Sequence, residues 1–405
     1  MAGQLQTATW IMKIRVVHII AKLELGGAQK VVLETIRRLD PHRFENILIT
    51  GKEGILVDEA KRIGQELDIK TYFLPQFLRE IRPIQDLRAL YAIKQILRAS
   101  SIQHPASRII VHTHGSKAGV LGRFAAKMAR VPVIIHTIHG FSFHDFQNLW
   151  IKKLYIGLER FCGKFTTVLV AVSRATQKKG LRVRIGGPFQ YRVIPPGTCI
   201  EEFLNVKVDP NEKKKALGIP VDVKVVGTIT CFKPQKAPLD FIQVAKGVIG
   251  TLPDCRFLIV GDGELRGEVE KMIQEFGLAD HVKLLGWRRD VPEVLSTFDL
   301  FLLTSLWEGL PLVYGEVMSE GKPIVATRVD GTPEVIEDGV NGYLVEPRDI
   351  KGMVDRVLRL LKDEGLRKRM GEAGRKRAGQ FDVQKMVERI EELYTEEIQS
   401  LDSLR

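Results

Sequence analysis

Along the first half of the chain, short apolar runs rich in Val and Ile alternate with longer stretches in which apolar residues recur every three or four positions. The runs Ile14–Ile20, 46–50, 109–112, 133–137 and 167–172 predict buried parallel strands, because a strand covered on both faces is apolar throughout rather than alternating. Residues 30–39 and 84–98 carry helical spacing, as in other stretches between the strands. Strand and helix in regular alternation predict βαβ units and a parallel sheet with helices on both faces.

The alternation breaks after 191–194, where Pro195-Pro196-Gly197 makes a turn that no helix tolerates. A Lys-rich polar stretch runs to Gly218-Ile219-Pro220, and a second series of strands follows at 223–230, 256–260, 282–285, Leu300–Leu303, 323–327 and Gly342–Val345. A chain of 405 residues is too long for one ordinary core. The expected organisation is two doubly wound, Rossmann-like parallel-sheet domains, residues 1–200 and 201–380. A charged amphipathic helix closes the chain within 381–405, with apolar Met386, Ile390 and Leu393, either capping the second domain or crossing back to the first. Open α/β sheets bind ligands at the carboxyl ends of their strands, so a cleft between the two sheets is the expected site.

Composition narrows the class. Hydrophobic residues make up 44% and charged residues 27%, a soluble globular balance, and no apolar run approaches the roughly 20 residues that span a bilayer. Lys13 and Arg15 interrupt the apolar N-terminus, so no signal peptide is expected, and Met12-Lys13-Ile14 looks like a natural start preceded by an extension over 1–11. Cys162, Cys199, Cys231 and Cys255 are scattered without a C-x-x-C pair, which argues against zinc and disulfides and for a reducing cytosol. The formal charge of +12 suits nucleic acid, an anionic membrane surface or a phosphorylated substrate, and equally plain solubility. No aromatic-basic platform or DNA-reading motif is present, so nucleic acid is not an expected partner.

The chemistry concentrates in Glu308-Gly309-Leu310-Pro311-Leu312-Val313-Tyr314-Gly315-Glu316, directly after a strand. Pro311 suits the first turn of a helix. Backbone N–H groups near Gly309, Leu310, Leu312 and Val313 then point out of a helix start that can take a phosphate. Glu308, in the loop, can accept from sugar hydroxyls, and Glu316, on the helix, from ribose hydroxyls; alone, both read equally as ordinary helix-N-terminal acids. Gly26-Gly27 follows the first strand and opens a helix, where glycines allow close approach to a phosphate or simply a tight turn. His112, His114, His136 and His139 cluster at two strand ends; with no cysteine or acid at ligand spacing, no metal is expected there. Lys233 and Lys236 follow the first strand of the second domain. Trp287-Arg288 follows another strand, where Trp287 reads equally as packing, and Gly331-Thr332-Pro333-Glu334 reads as a structural turn. Basic and apolar residues interleave from Phe77 through Arg79, Arg82, Arg88 and Lys94 to Arg98, and Lys117, Arg123, Lys127 and Arg130 share a second helix, a pattern that can lie on anionic headgroups.

The stretch 308–345, together with 111–143 and the order of motifs from Gly26 to Val345, resembles the retaining GT-B glycosyltransferases of family 4, whose signature is two glutamates with seven residues between them. It most resembles the bacterial members that build capsule, exopolysaccharide or O-antigen chains on lipid carriers. The resemblance implies that Gly26 and Gly27 line the donor and acceptor floor, that His139 lies beside the donor sugar, and that His114 and Lys117 fall on the acceptor side. It implies nucleobase contact, often through backbone, near Trp287 and Arg288, so that UDP and GDP sugars fit equally. Family members carry Arg and Lys to hold the diphosphate. Lys236 matches the second; Cys231 stands where the Arg is usual, and Lys233 is the candidate substitute.

The expected activity is metal-independent, retaining transfer of a hexose or N-acetylhexosamine from a nucleotide diphosphate sugar to a hydroxyl of a lipid-linked saccharide, with no cofactor, at the inner face of the cell membrane. His139, Lys236 and Glu308 are the expected catalytic residues. Two alternatives share the pattern: a nucleotide-sugar epimerase or sugar-phosphate synthase on the same fold, and a basic membrane- or nucleic-acid-binding module without turnover.

Overall fold

The computed structural model describes residues 13–78, 80–102 and 108–403. The expected start at Met12 and the basic residue Arg79 lie outside them. The chain divides into two compact units, one of residues 1–170, 180–192 and 387–405, the other of 171–179 and 193–386.

In the first unit the order is β1 (Ile14–Ile20), α1 (Gly27–Arg38), β2 (Phe44–Gly51), α2 (Val57–Glu66), β3 (Lys70–Leu74), α3 (Pro83–Ile102), β4 (Ile109–His114), α4 (Ser116–Met128), β5 (Val133–Ile138), α5 (Leu149–Gly163) and β6 (Val168–Ala171). α6 (Arg174–Arg182), whose residues up to Lys179 belong to the second unit, and the short β7 (Tyr191–Val193) follow. The sheet runs β3-β2-β1-β4-β5-β6-β7, with parallel pairing from β3 through to β5. Every residue of β1, β4 and β5 is buried, as a strand covered on both faces requires. α1 and α2 cover one face through Val32, Leu33, Ile36 and Ile63; α3 and α4 cover the other through Ala89, Ile93, Leu97 and Ala125.

β3 escaped the apolar-run criterion because it is the sheet edge: its residues are exposed or half-buried and its first two are polar. β4 runs two residues beyond the apolar run because Thr113 and His114 are buried polar residues, held by hydrogen bonds.

The second unit has α7 (Ile200–Leu204), α8 (Pro210–Ala216), β8 (Lys224–Ile229), α9 (Pro238–Ile249), β9 (Cys255–Val260), α10 (Arg266–Glu275), β10 (Val282–Gly286), α11 (Val291–Ser296), β11 (Leu300–Leu303), α12 (Val313–Ser319), β12 (Ile324–Thr327), α13 (Thr332–Val335) and β13 (Gly342–Val345). α14 (Ile350–Lys362) and α15 (Glu364–Ala378) follow, and the last helix, α16 (Val383–Ser403), has its residues from 387 onward in the first unit. The second sheet is parallel throughout, in the order β10-β9-β8-β11-β12-β13. The order reverses direction between β8 and β11, the switch point at which such sheets place ligands.

Candidate active site

In the second unit β8, β11 and β12 are neighbours, so the loops leaving their carboxyl ends meet. The β8 loop ends in a 3-10 turn, Pro234–Lys236, and passes through Ala237 at φ 44°, a left-handed conformation that costs a non-glycine residue energy. Thr304, just past β11, fixes this turn by donating its hydroxyl to the carbonyls of Lys236 and Ala237, each at 3.0 Å. Leu306 N–H donates to Gln235 O at 2.7 Å, and Gln235 Nε2 donates to Trp307 O at 2.9 Å. Held in this way, the Lys236 ammonium forms an ion pair with the Glu308 carboxylate. The Glu308 side chain is buried and Lys236 nearly so, which keeps water from screening the pair.

Glu308 is positioned from a third loop as well. Its backbone N–H donates to Asp330 Oδ2 at 2.8 Å, and Asp330 also pairs with Lys179 at 3.1 Å. Asp330 sits at φ 40°, a second strained non-glycine residue within the cluster. Next to it, a Cβ on Gly331 would lie 2.4 Å from the carbonyl oxygen of Gly309, so only glycine allows these two loops to touch. Glu334 accepts from the N–H groups of Arg174 and Ala175, at 2.9 and 2.6 Å, which gives the Gly331–Glu334 turn its structural role. Gln235 and Asp330 carried no motif. Asp330 lies in an ordinary turn sequence two residues before α13, and only strand adjacency brings it to Glu308.

α12 begins at Val313, two residues later than Pro311 predicts. Tyr314 and Gly315 N–H groups bond back to Pro311 O and Leu312 O, a tight first turn that leaves Pro311 ahead of the helix. Leu312 and Val313 become the terminal donors, with Gly309 and Leu310 in the loop before them, Leu310 buried. A helix of seven residues has a small dipole, so the charge at this site rests mainly on Lys236. Glu316 is buried and accepts from Thr198 Oγ1 at 3.3 Å. Cys231 is partly buried beside the β8 end, and Lys233 stands at the entry to the 3-10 turn.

The residues after β10 behave differently. Trp287 is 41% exposed at the edge of the sheet. Arg288, expected at the donor, is clamped by Asp290 through two hydrogen bonds of 2.7 and 2.6 Å, and Lys213 also reaches Asp290 at 2.6 Å. The Arg288 hydrogen bonds hold the Asp290 carboxyl well below the usual carboxylate range.

In the first unit the corresponding strand ends carry neutral groups. Gly26 precedes α1 in an extended conformation, and Gly27 opens the helix. His18 and His112 are register partners on β1 and β4, and His114 lies two residues on, on the same face. His112 is satisfied by Tyr394 Oη at 2.5 Å and Thr137 Oγ1 at 2.7 Å, and His136, on the opposite face, bonds to Thr113 Oγ1 at 2.9 Å; His18 meets Asn46 through Nε2 at 3.3 Å, and its Nδ1, like Nε2 of His114, is buried without a hydrogen-bond partner. His114 Nδ1 meets His139 Nε2 at 3.2 Å, joining the acceptor-side and donor-side histidines of the sequence reading. Burial pushes His18 and His139 down to about 4, and His112, His114 and His136 well below their ordinary value, with neighbouring charges adding to the effect in the last three. These imidazoles are neutral near pH 7 and can give or take a hydrogen bond without bringing charge.

His18, His112 and His114 bring ring nitrogens within 4.8 Å of one another. Both His112 nitrogens already serve Tyr394 and Thr137, so a third metal ligand there would cost one of those bonds. His18 and Tyr394 carried no motif and join the cluster only through sheet register and α16.

The expected basic helix face needs correction. Arg123 is fully buried, donating to Gly119 O and Glu159 Oε2, each at 2.7 Å, because a guanidinium inside an apolar layer must be paired. Lys117 is tied to Asp86 at 2.5 Å and to Glu80 O. Phe77 is core, 1% exposed.

Two family descriptions match the chain: Glycosyltransferase Family 4 over residues 25–202 and Glycosyl transferases group 1 over 209–377. An Escherichia coli UDP-Gal:alpha-D-GlcNAc-diphosphoundecaprenol alpha-1,3-galactosyltransferase is 32% identical over 385 residues, 94% of this chain and 97% of its own. The chain belongs to glycosyltransferase family 4. Its fold is GT-B: the Anabaena protein HepE, solved with UDP-glucose, superposes with a TM-score of 0.80 at 21% identity, covering 94% of this chain and 99% of that one. Sucrose-phosphate synthase from Thermosynechococcus elongatus also superposes, with a TM-score of 0.78 at 19% identity over 96% and 100% of the two chains, so the GT-B fold alone does not choose the reaction. In this glycosyltransferase the two-glutamate signature is the Glu308 loop and the α12 helix.

Proposed function

We propose that this glycosyltransferase transfers a hexose or N-acetylhexosamine, with retention and without a metal, from a nucleoside diphosphate sugar to a hydroxyl of a polyprenyl-diphosphate-linked saccharide at the inner face of the cell membrane. The Lys236–Glu308 pair at the switch point of the second sheet carries the reading. An ammonium beside a carboxylate in a shielded site can receive the charge that grows on a departing diphosphate, while the carboxylate accepts from sugar hydroxyls. The Escherichia coli relative's name supports a lipid-linked acceptor and makes UDP-galactose the first donor to assay. The UDP-glucose complex of HepE supports a nucleotide-sugar donor.

The roles divide as follows. Lys236, assisted by Lys233 and the N–H groups of Leu312 and Val313, neutralises the diphosphate, so no metal is required. Glu308 and neutral His139 orient the donor sugar; Glu316 accepts from the ribose; Trp287 and the β10 loop receive the base, with Arg288 stiffening that loop through Asp290. Gly26 and Gly27 allow backbone to approach the reacting groups, and His114 and Lys117 belong to the acceptor side. The bond from the anomeric carbon to the diphosphate oxygen breaks as the acceptor oxygen attacks from the same face. The departing phosphate takes the acceptor proton.

A screen of nucleotide sugars for thermal stabilisation and slow donor hydrolysis tests this, since hydrolysis needs no acceptor. The expected result is stabilisation and hydrolysis by one UDP- or GDP-sugar, unchanged by chelator, with the anomeric configuration of the transferred sugar preserved. Stabilisation by none of them, or activity lost to chelator and restored by a divalent ion, overturns it.

A further inference from the structure

No helix among the described residues is long and apolar enough to cross a membrane, yet the first unit exposes large apolar side chains on two helices of one layer. On α3, Ile84, Leu87 and Tyr91 are 70%, 66% and 61% exposed. On α5, Trp150 and Leu154 are 76% and 60% exposed, and Phe161 extends the stripe at 49%. The spacings 84, 87, 91 and 150, 154, 161 each describe one helical face, which is how an apolar stripe, rather than scattered surface residues, arises.

Both helices cover the same side of the sheet, with α4 between them. Lys117 at the start of α4 pairs with Asp86 of α3 at 2.5 Å. Arg123 pairs with Glu159 of α5, and Phe124 stacks on Phe161 with ring centroids 5.4 Å apart. Ser116 and Ser142 are in hydrogen-bond contact, which ties the loop before α5 to the start of α4. The most exposed residues lie in the first halves of α3 and α5, at the end of the sheet where β4 and β5 deliver His114 and His139.

Cations accompany the stripes. Arg88 and Arg98 are exposed along α3; Lys153, Arg160 and Lys164 follow one flank of the α5 stripe, with Lys153 5.0 Å from the Trp150 ring centroid. The neighbouring acids Asp86, Asp145 and Glu159 are each spent on Lys117, Lys152 and Arg123. We propose that the α3–α5 face is a bilayer-docking surface that inserts Trp150, Leu154, Leu87 and Tyr91 among the acyl chains of an anionic leaflet while the cations pair with phosphate headgroups. Apolar stripes flanked by Lys and Arg, with Trp at the boundary, match the chemistry of a lipid interface. A second copy of the chain fits poorly, since a two-fold contact would set these cations against their own copies. The proposal rests on the lipid-linked acceptor reading, and docking would hold the headgroup plane beside the strand ends that carry His114 and His139.

Flotation of the full chain with phosphatidylcholine vesicles, with and without phosphatidylglycerol, reads the surface directly. The wild-type chain is expected to float with the anionic vesicles, less so at high salt, with Trp150 emission shifted to the blue. Trp150→Ser/Leu154→Ser and Leu87→Ser/Tyr91→Ser should each lower binding by roughly tenfold or more. Lys153→Gln/Lys164→Gln should lower anionic binding by about fivefold per charge, about 1 kcal/mol each. Leu67→Ser, 45% exposed at the end of α2, should not change it. Melting temperature and turnover of a water-soluble acceptor should stay at wild-type values throughout. Failure of the wild-type chain to bind vesicles while it turns over the soluble acceptor overturns docking and leaves sugar transfer intact. Vesicle binding without any nucleotide-sugar turnover does the reverse. Variants that dissociate a dimer in sedimentation and leave flotation unchanged replace the bilayer with a second copy.

Discussion

The two sheets share one architecture and furnish their strand ends in opposite ways. In the first unit the polar groups are histidines within strands, buried and neutral, hydrogen-bonded to Tyr394, Thr137, Asn46 and Thr113. In the second they are charges outside the strands, Lys236 with Glu308 and, from α6, Lys179 with Asp330. A strand interior cannot supply the solvent or counterion that a charge needs, so polar residues there stay neutral and bonded. A loop at the sheet rim can gather opposite charges from three strands. The second unit thus presents paired charges beyond its strand ends, and the first presents neutral hydrogen-bonding groups.

The largest expected effect tests whether charge does separate the two units. Lys236→Ala should lower turnover of the nucleotide-sugar donor by about 10²–10³-fold, the scale of removing one preorganised stabilising donor. Glu308→Gln, which keeps shape and burial, should also lower kcat more than it raises KM, in steady-state assays. A loss of only a few-fold on Lys236→Ala, against a larger one on His139→Ala, would break the division.

Next is acid stability. The histidine pKa values are lowered in the folded state, so the unfolded chain binds more protons between the ordinary value near 6.5 and the folded values of about 4 for His18 and His139. Stability is therefore full above about pH 6.5 and falls as pH drops toward 4, by about 1.4 kcal/mol per pH unit for each proton taken up. Melting temperature against pH should show this slope, and His18→Asn should flatten it. A flat profile over that range would mean that the histidine cluster is solvated.

A smaller effect concerns one bond within that cluster. Tyr394→Phe removes the hydroxyl at 2.5 Å from His112 Nδ1 and leaves a buried ring nitrogen unsatisfied, at a cost of about 1–3 kcal/mol in urea unfolding. The smallest sharpens the charged side. Cys231→Arg supplies the cation usual at this position in the family, and should tighten donor binding several-fold by calorimetry, roughly 1 kcal/mol for a partly exposed charge. No gain would indicate that Lys233 already fills the place.

Legibility followed burial. The central strands were plain because both faces are covered, whereas the edge strand β3 was hidden by polar Lys70 and Thr71. The Glu308–Glu316 segment, Lys236, His114 and His139 stood out because charged or titratable residues directly after apolar runs are conspicuous. Asp330, Gln235, His18 and Tyr394 did not, since their roles arise from contacts 22, 73, 94 and 282 residues distant: Asp330 with Glu308, Gln235 with Glu308, His18 with His112 and Tyr394 with His112 depend on which strands adjoin and where the last helix lies. Arg123 shows the converse. Its sequence neighbours Lys117, Lys127 and Arg130 suggest a basic surface, and the packing of α4 on α5 buries it against Glu159.

The alternation of apolar runs and helical spacing determined two parallel sheets, and the order of loop motifs determined the family, because both are written in local periodicity and in residues adjacent along the chain. Which charges meet, which histidines become neutral, and which apolar residues are left on the surface were decided by strand order and helix packing. Those outcomes depend on distances between segments far apart in the chain, and on the water that packing excludes, neither of which any local pattern encodes.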